Sequence, residues 1–316
     1  MSKILLLSLL ALSYQSASAE SLLESFGSGA NAFTMEFVTI GNPNNLADIR
    51  YTDYPSLPSG AGSVAYTYNL SKHEVSRDMI NKANTAGGLG ITMYDMSSYG
   101  GNGVNKPAAG VSWYEAATYV NWLNTSTGNT AAYKFDDSGN FQLWSSTDAG
   151  YNTNNMFRNS LAKYVIASSD EWYKGAYANL DGTWNNYPTG SDSAPTPVAG
   201  GTDANTAVYS PHWWSADITN AGGLSPYGTM AQGGNVTELT ETAYDGSNDT
   251  AGEMREVRGG PGAFGSIDLL ASSRGGTDPW RETVLGFRVA SVPEPSSLSL
   301  LAVGLGGLAM MRRRRS

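Results

Sequence analysis

Between Ser225 and Glu241 the chain reads SPYGTMAQGGNVTELTE. Gly228, Gly233 and Gly234 permit a positive φ or the close approach of another backbone. Asn235 follows, a residue that tolerates the left-handed region and folds its amide back on nearby peptide groups. Glu238 and Glu241 then supply carboxylates. Carbonyls turned inward by such a loop, with a carboxylate two or three residues on, are the oxygen ligands a hard cation such as calcium takes. A buried turn closed by its own hydrogen bonds would use the same residues.

Other chemistry is bounded by what the chain holds. It has no cysteine and two histidines, His73 and His212, so thiol nucleophiles and a three-histidine metal site have no residues to build them. Asp245-Gly246-Ser247-Asn248-Asp249 has the composition of a calcium loop but lacks the spacing and terminal glutamate of an EF-hand; it reads as an exposed turn. Paired carboxylates for glycoside hydrolysis stay open, because their spatial separation decides that chemistry. No phosphate-binding glycine loop follows a strand.

The elements that must position these residues lie between two distinctive ends. Residues 1–19 open with Lys3, run apolar from Ile4 to Leu12 and close on Ala17-Ser18-Ala19. That pattern is a secretory leader cleaved after Ala19. At the other end Pro293-Glu294-Pro295 precedes an apolar run, Leu298 to Met311, and four arginines, Arg312 to Arg315. The prolines stop a helix from running in from the domain, and the arginines hold the cytoplasmic side. Those ends carry five of the 19 basic residues, so the part between them is more acidic than the formal net charge of −9. That argues against nucleic acid as partner and leaves membrane contact to the C-terminal helix before processing. Thirty-seven glycines, 18 tyrosines and 8 tryptophans beside 15% charged residues describe a loop-rich domain with aromatic packing, spanning 20–291.

Within it, Phe33 to Ile40 and Val64 to Leu70 alternate as strands. Ser76 caps a helix with Met79, Ile80 and Ala83 on one face, stopped by Gly87-Gly88. Ser112-Trp113-Tyr114-Glu115 and Ser168-Ser169-Asp170-Glu171 are capping boxes opening two more helices. Tyr133 to Trp144 reads as a hairpin turning at Asp137-Ser138-Gly139-Asn140. Gly182 to Pro226 lacks periodicity, and long loops of that kind are usually functional.

These anchors, in this order, resemble the formylglycine-generating enzyme (sulfatase-modifying factor) family. The resemblance rests on Glu74-Val75-Ser76, Pro107 through Leu123, Ser168 to Trp172, Tyr227-Gly228 through Gly234-Asn235-Val236 and Glu238, Arg258-Gly259-Gly260 with Arg274, and Gly286-Phe287-Arg288. The C-terminal tail resembles the PEP-CTERM sorting signal of Gram-negative bacteria, with an exosortase-type transpeptidase acting near Pro293, Glu294 and Pro295. The first resemblance implies a single α+β domain, distantly like C-type lectins and with little regular structure. It also implies structural calcium: one site at the Gly234 and Val236 carbonyls and the Glu238 carboxylate, a second at Asn205 and the Thr206 carbonyl. The acid or amide the family places before Gly-Asn is Ala231 here. The family's oxidase uses copper on two cysteines, and the matching segment, Pro261 to Ser273, has none; no copper or iron site is expected. Two readings follow. One is a sorted surface protein with a non-catalytic binding or structural role, its ligand an exopolysaccharide or another envelope component met by Trp184, Trp213 and Trp214. The other is an enzyme of the superfamily with different chemistry in a cleft near Phe264 to Arg281.

Overall fold

The computed structural model describes residues 21–51, 60–280 and 284–292. The leader with Ala19, and the residues Pro293, Glu294 and Pro295, lie outside them. Two sheets organise the chain. The first comprises β1 (Ser21–Phe26), β2 (Phe33–Ile40), β3 (Tyr68–Ser71), β6 (Tyr164–Ile166) and β13 (Val289–Ser291), in the order β1-β2-β3-β13-β6. All its neighbours are antiparallel. Its two edges lean toward each other: Phe26 on β1 meets Tyr164 on β6 ring to ring at 5.1 Å, and Glu24 pairs with Lys163 at 2.9 Å. The sheet is therefore curled, as twisted strands permit.

The second sheet holds β9 (Thr237–Ala243), β10 (Arg255–Arg258), β11 (Gly275–Thr277) and β12 (Leu285–Phe287), ordered β11-β10-β9-β12. β9 and β12 run parallel. One residue, Arg288, separates β12 from β13, so the chain steps between the sheets across it. The expected hairpin forms from β4 (Lys134–Phe135) and β5 (Phe141–Gln142). The long aperiodic stretch carries one short parallel pair, β7 (Thr196–Pro197) with β8 (Thr206–Ala207).

Among the described residues three α-helices cover the sheets. In α1 (Arg77–Gly87) the Ser76 hydroxyl accepts from the Met79 amide, and Gly88 closes the helix at φ 64°. In α2 (Trp113–Ser126) and α3 (Ser169–Tyr177) both capping boxes form as the sequence predicts. Few helices and many short strands make this the mixed α+β class.

One expectation differs from the structure. Residues from Val64 onward were expected to form a strand, but only Tyr68–Ser71 pairs; the Val64 amide and carbonyl are held by the Asn45 side chain and the Asn44 amide instead. β1, which no strand read from the sequence anticipates, is an edge strand that leaves Leu22 and Leu23 exposed.

Trp113 is the centre of the core. Its ring packs edge-on with Tyr133 at 5.2 Å and Phe141 at 5.0 Å, and its indole N–H donates to the Thr240 carbonyl at 3.1 Å. The Arg255 guanidinium lies over Trp113 at 4.4 Å and over Phe157 at 4.1 Å. Trp113→Ala removes the ring, the Thr240 bond and the surface under a buried cation. It should cost about 3–5 kcal/mol, read as a lowered urea midpoint; a loss below about 1 kcal/mol would show that the core does not depend on this residue.

Candidate functional site

The Ser225–Glu241 loop takes the conformations its residues suggest. Gly228, Gly234 and Asn235 have φ of 90°, 89° and 59°, and Ala231 joins them at 61°. A Cβ at Gly234 would sit on the Val208 carbonyl, so only glycine fits. Asn235 knots four segments together. Its amide donates to Val208 O at 2.8 Å and its carbonyl accepts from Gly262 at 3.0 Å. Its side chain accepts from Ala216 N at 2.7 Å and donates to Glu74 Oε2 at 2.6 Å.

Glu238, the expected calcium ligand, faces a different cation. Arg288 donates from Nε to Glu238 Oε2 at 2.6 Å and from Nη2 to Oε1 at 2.5 Å, and Trp172 Nε1 adds a third bond at 2.7 Å. A forked guanidinium thus engages both oxygens of this fully buried carboxylate. The Val236 amide is turned to Glu74. Asn205 lies in another turn and Thr206 opens β8, whose continuation at Val208 joins this loop. The Asn205 side chain accepts from Thr189 at 3.0 Å, and the Thr206 carbonyl accepts from the Gly223 amide at 2.8 Å. Among the described residues no three His, Cys, Asp or Glu side chains converge as a metal site would require.

Beside the loop, where the sequence places a cleft near Phe264, there is an open cleft of about 340 Å³ lined by Thr237, Arg258, Gly260, Phe264, Asp268 and Arg274 among others. Its charges are largely spent on one another. Arg258 Nε donates to Glu256 Oε1 at 2.5 Å, and Nη1 reaches the carbonyls of Ala271 and Ser273. Arg274 meets the other Glu256 oxygen at 3.1 Å. Arg258 and Arg288 each bind loop carbonyls and also carry a buried carboxylate partner that no sequence spacing indicates.

A second surface adjoins the cleft. The Ser210 amide donates to the Phe264 carbonyl at 3.0 Å, and Gly262 lies against the carbonyls of His212 and Trp214. This brings an aromatic ridge to the rim: Tyr94 and Tyr99 with centroids 6.3 Å apart, then Tyr99 and Trp214 at 6.1 Å. Trp213 is 58% exposed, Trp214 52% and Phe264 56%. Trp184, expected with them, instead packs half-buried on Tyr173 at 5.4 Å, against the core. Burial pushes His73 down to about 4, so it is a neutral imidazole near pH 7.

Glu74 is the unusual group. It is fully buried, its Oε1 has no hydrogen-bond partner, and burial, reinforced by the nearby Glu238 carboxylate, holds its pKa well above 4.5. The folded chain therefore keeps this proton to higher pH than the unfolded chain does. The stability it brings is fully present below pH 4.5 and is lost as pH climbs toward the folded value. Glu74→Gln removes that dependence. Its urea midpoint relative to the parent should rise between about pH 5 and about pH 8; a difference that stays flat would show that Glu74 ionises freely. Arg288→Met, which strands the Glu238 carboxylate, should cost about 3–5 kcal/mol. Arg288→Lys keeps the charge but loses the fork and should fall between; lysine matching the parent would show that fork geometry is not what the site uses.

Comparison with known proteins agrees with this geometry. The model of the sulfatase-modifying factor enzyme 1-like domain matches residues 52–292, and the PEP-CTERM protein-sorting motif matches residues 291–315. No curated protein matches the sequence. Among solved structures, Treponema denticola variable protein 1 superposes with TM-score 0.61 at 18% identity, over 86% of this chain and 99% of that one. CarF gives 0.57 at 15%, over 82% and 98%. PvdO from Pseudomonas aeruginosa gives 0.52 at 16%, over 85% and 98%. At these identities the likeness establishes the fold alone. With its core anchors, its cleft and a family match across most of its length, the chain belongs to the sulfatase-modifying factor enzyme 1-like family, and it ends in a PEP-CTERM sorting motif.

Proposed function

We propose that this protein is an exported, exosortase-sorted binding domain of a Gram-negative cell surface, with a polysaccharide of the envelope or its matrix as ligand. In this reading residues 1–19 are the leader, 20–291 the domain and 292–316 the sorting signal. The observation that carries it is the exposed ridge of Tyr94, Tyr99, Trp213 and Trp214 beside a cleft whose arginines are already committed. Indole and phenol faces offer flat apolar area with a polar edge, which suits a partner that is apolar on one face and wet on the other, as sugar rings are. The family's thiol oxidation is closed to a chain without cysteine. A second reading, an enzyme with different chemistry, rests on Asp268 and Ser273 at the cleft.

The test is retention of the purified protein on a panel of bacterial polysaccharides, with calcium and with chelator. Trp213→Ala with Trp214→Ala should weaken binding roughly thirtyfold, the effect of about 1 kcal/mol from each ring, while thermal unfolding stays unchanged. Retention untouched by the double substitution would remove the ridge from the reading. Chelator-sensitive retention that survives Glu238→Gln would assign an ion to Asn205 and Thr206; chelator-insensitive retention would remove calcium from the proposal. Hydrolysis of any panel member that is lost in Asp268→Asn would favour the enzyme.

A further inference from the structure

The sorting motif starts inside the folded domain. It matches from residue 291, and Ser291 is the last residue of β13. β13 is an interior strand: Ser291 sits opposite Asn69 on one side and Tyr164 on the other. The Val292 amide is still tied, donating to the Lys163 carbonyl at 2.9 Å. Pro293 follows directly, with no linker between the sheet and the Pro-Glu-Pro element. At about 3.5 Å per extended residue, Pro295 can stand no more than about 10 Å from the sheet. More reach would require peeling β13, whose Val289 and Ala290 are buried and whose preceding residue is the buried Arg288.

The same end of the sheet receives the start of the domain. Ser21, Val38, Leu70, Ala290 and Val165 form one row across the five strands, so β1 begins at the end where β13 leaves. Three strand spacings put the two points within about 15 Å of each other. A groove of about 460 Å³ opens there, lined by Glu24, Thr67, Asn69, Thr127, Asn129 and Lys163 together with Ser291 and Val292. Its one carboxylate and one ammonium neutralise each other at 2.9 Å. The other polar side chains are amides and hydroxyls, beside the rings of Tyr68 and Tyr164 and the Val292 side chain. In an acidic protein this rim is uncharged and rich in hydrogen-bonding groups, which fits a protein surface better than anionic headgroups, for which clustered basic residues would be expected.

We propose that this polar rim is a docking surface for the membrane transpeptidase that processes the tail, so that the enzyme recognises the folded sheet end and the sorting motif together. The inference rests on the tail being processed, as the motif implies. The geometry leaves an enzyme acting at the motif two routes: touching the rim or unzipping an interior strand.

The test follows precursor conversion of the full-length chain by pulse-chase in a bacterium that carries the sorting enzyme. Thr67→Lys with Asn129→Lys, and Thr67→Glu with Asn129→Glu, place charge on the rim; Thr250→Lys, outside the groove, is the control. A fourth chain carries a ten-residue Gly-Ser spacer between Val292 and Pro293. Both rim pairs should slow conversion roughly tenfold, the control should convert at the parent rate, and the spacer should slow conversion by separating the two recognised parts. Purified rim variants should unfold at the parent temperature. Opposite effects of the lysine and glutamate pairs would place a charged bilayer at the rim and overturn the proposal. Faster conversion with the spacer would show that the folded sheet only obstructs the enzyme. Parent-rate conversion of every variant would also overturn it. A parent chain that keeps its tail would instead reject the processing beneath the inference, with Glu294→Ala as the matching negative.

Discussion

Arg288 sits at the single residue where the chain steps from one sheet to the other, and it has no exposed surface. Its fork holds Glu238 on β9, and its remaining donors reach the carbonyls of Ser71, Lys72 and Met230. One guanidinium therefore fixes the second sheet, the end of β3 and the glycine-rich loop at once. Lysine could not do this, because a point charge cannot span a carboxylate and three carbonyls in fixed directions. Buried ion pairs are poor sources of net stability; the gain here is one defined geometry for segments that have little regular structure to define it.

The same device recurs where β9 and β10 meet α3. Arg158 bridges Glu171 and Glu241, with Tyr133 and Tyr66 completing the two carboxylates. Burial alone would raise Glu171, but the Arg158 charge and hydrogen bonds outweigh it, and its pKa lies below 4.5. Arg258 and Arg274 share Glu256 beneath the cleft. A domain this rich in loops has many carbonyls without ladder partners, and buried arginines satisfy several each. Glu74 is the exception, a buried carboxyl with one oxygen unmatched beside a pair that has no donor to spare.

This internal neutralisation shapes the surface. The cations of the cleft floor are engaged, so what the loop cluster presents outward is mostly aromatic. At the opposite concern of the fold, attachment, the C-terminal strand is interior rather than at an edge. The sorting motif thus begins on one of the better-held segments of the first sheet, and whatever acts on it meets a folded surface within a few residues.

Local patterns were legible in the sequence because their causes are local. Both capping boxes, the Ser76 cap, the Gly88 stop and the left-handed positions around Gly234 and Asn235 depend on neighbours within a few residues, and spacing reveals them. The ordered anchors, from Glu74-Val75-Ser76 to Gly286-Phe287-Arg288, revealed the family and with it the fold and the cleft near Phe264. Partner choice was not legible. That Glu238 meets Arg288, 50 residues away in sequence, that Glu171 serves Arg158 as well as its own helix, that Trp184 packs half-buried against the core while Trp213 and Trp214 stand exposed, and that β13 lies between β3 and β6 all depend on which distant segments the fold brings together. An isolated carboxylate has the same spelling whether it faces a metal, a guanidinium or water; only tertiary packing decides, because only packing sets which charge comes within hydrogen-bond distance and how much water is left beside it.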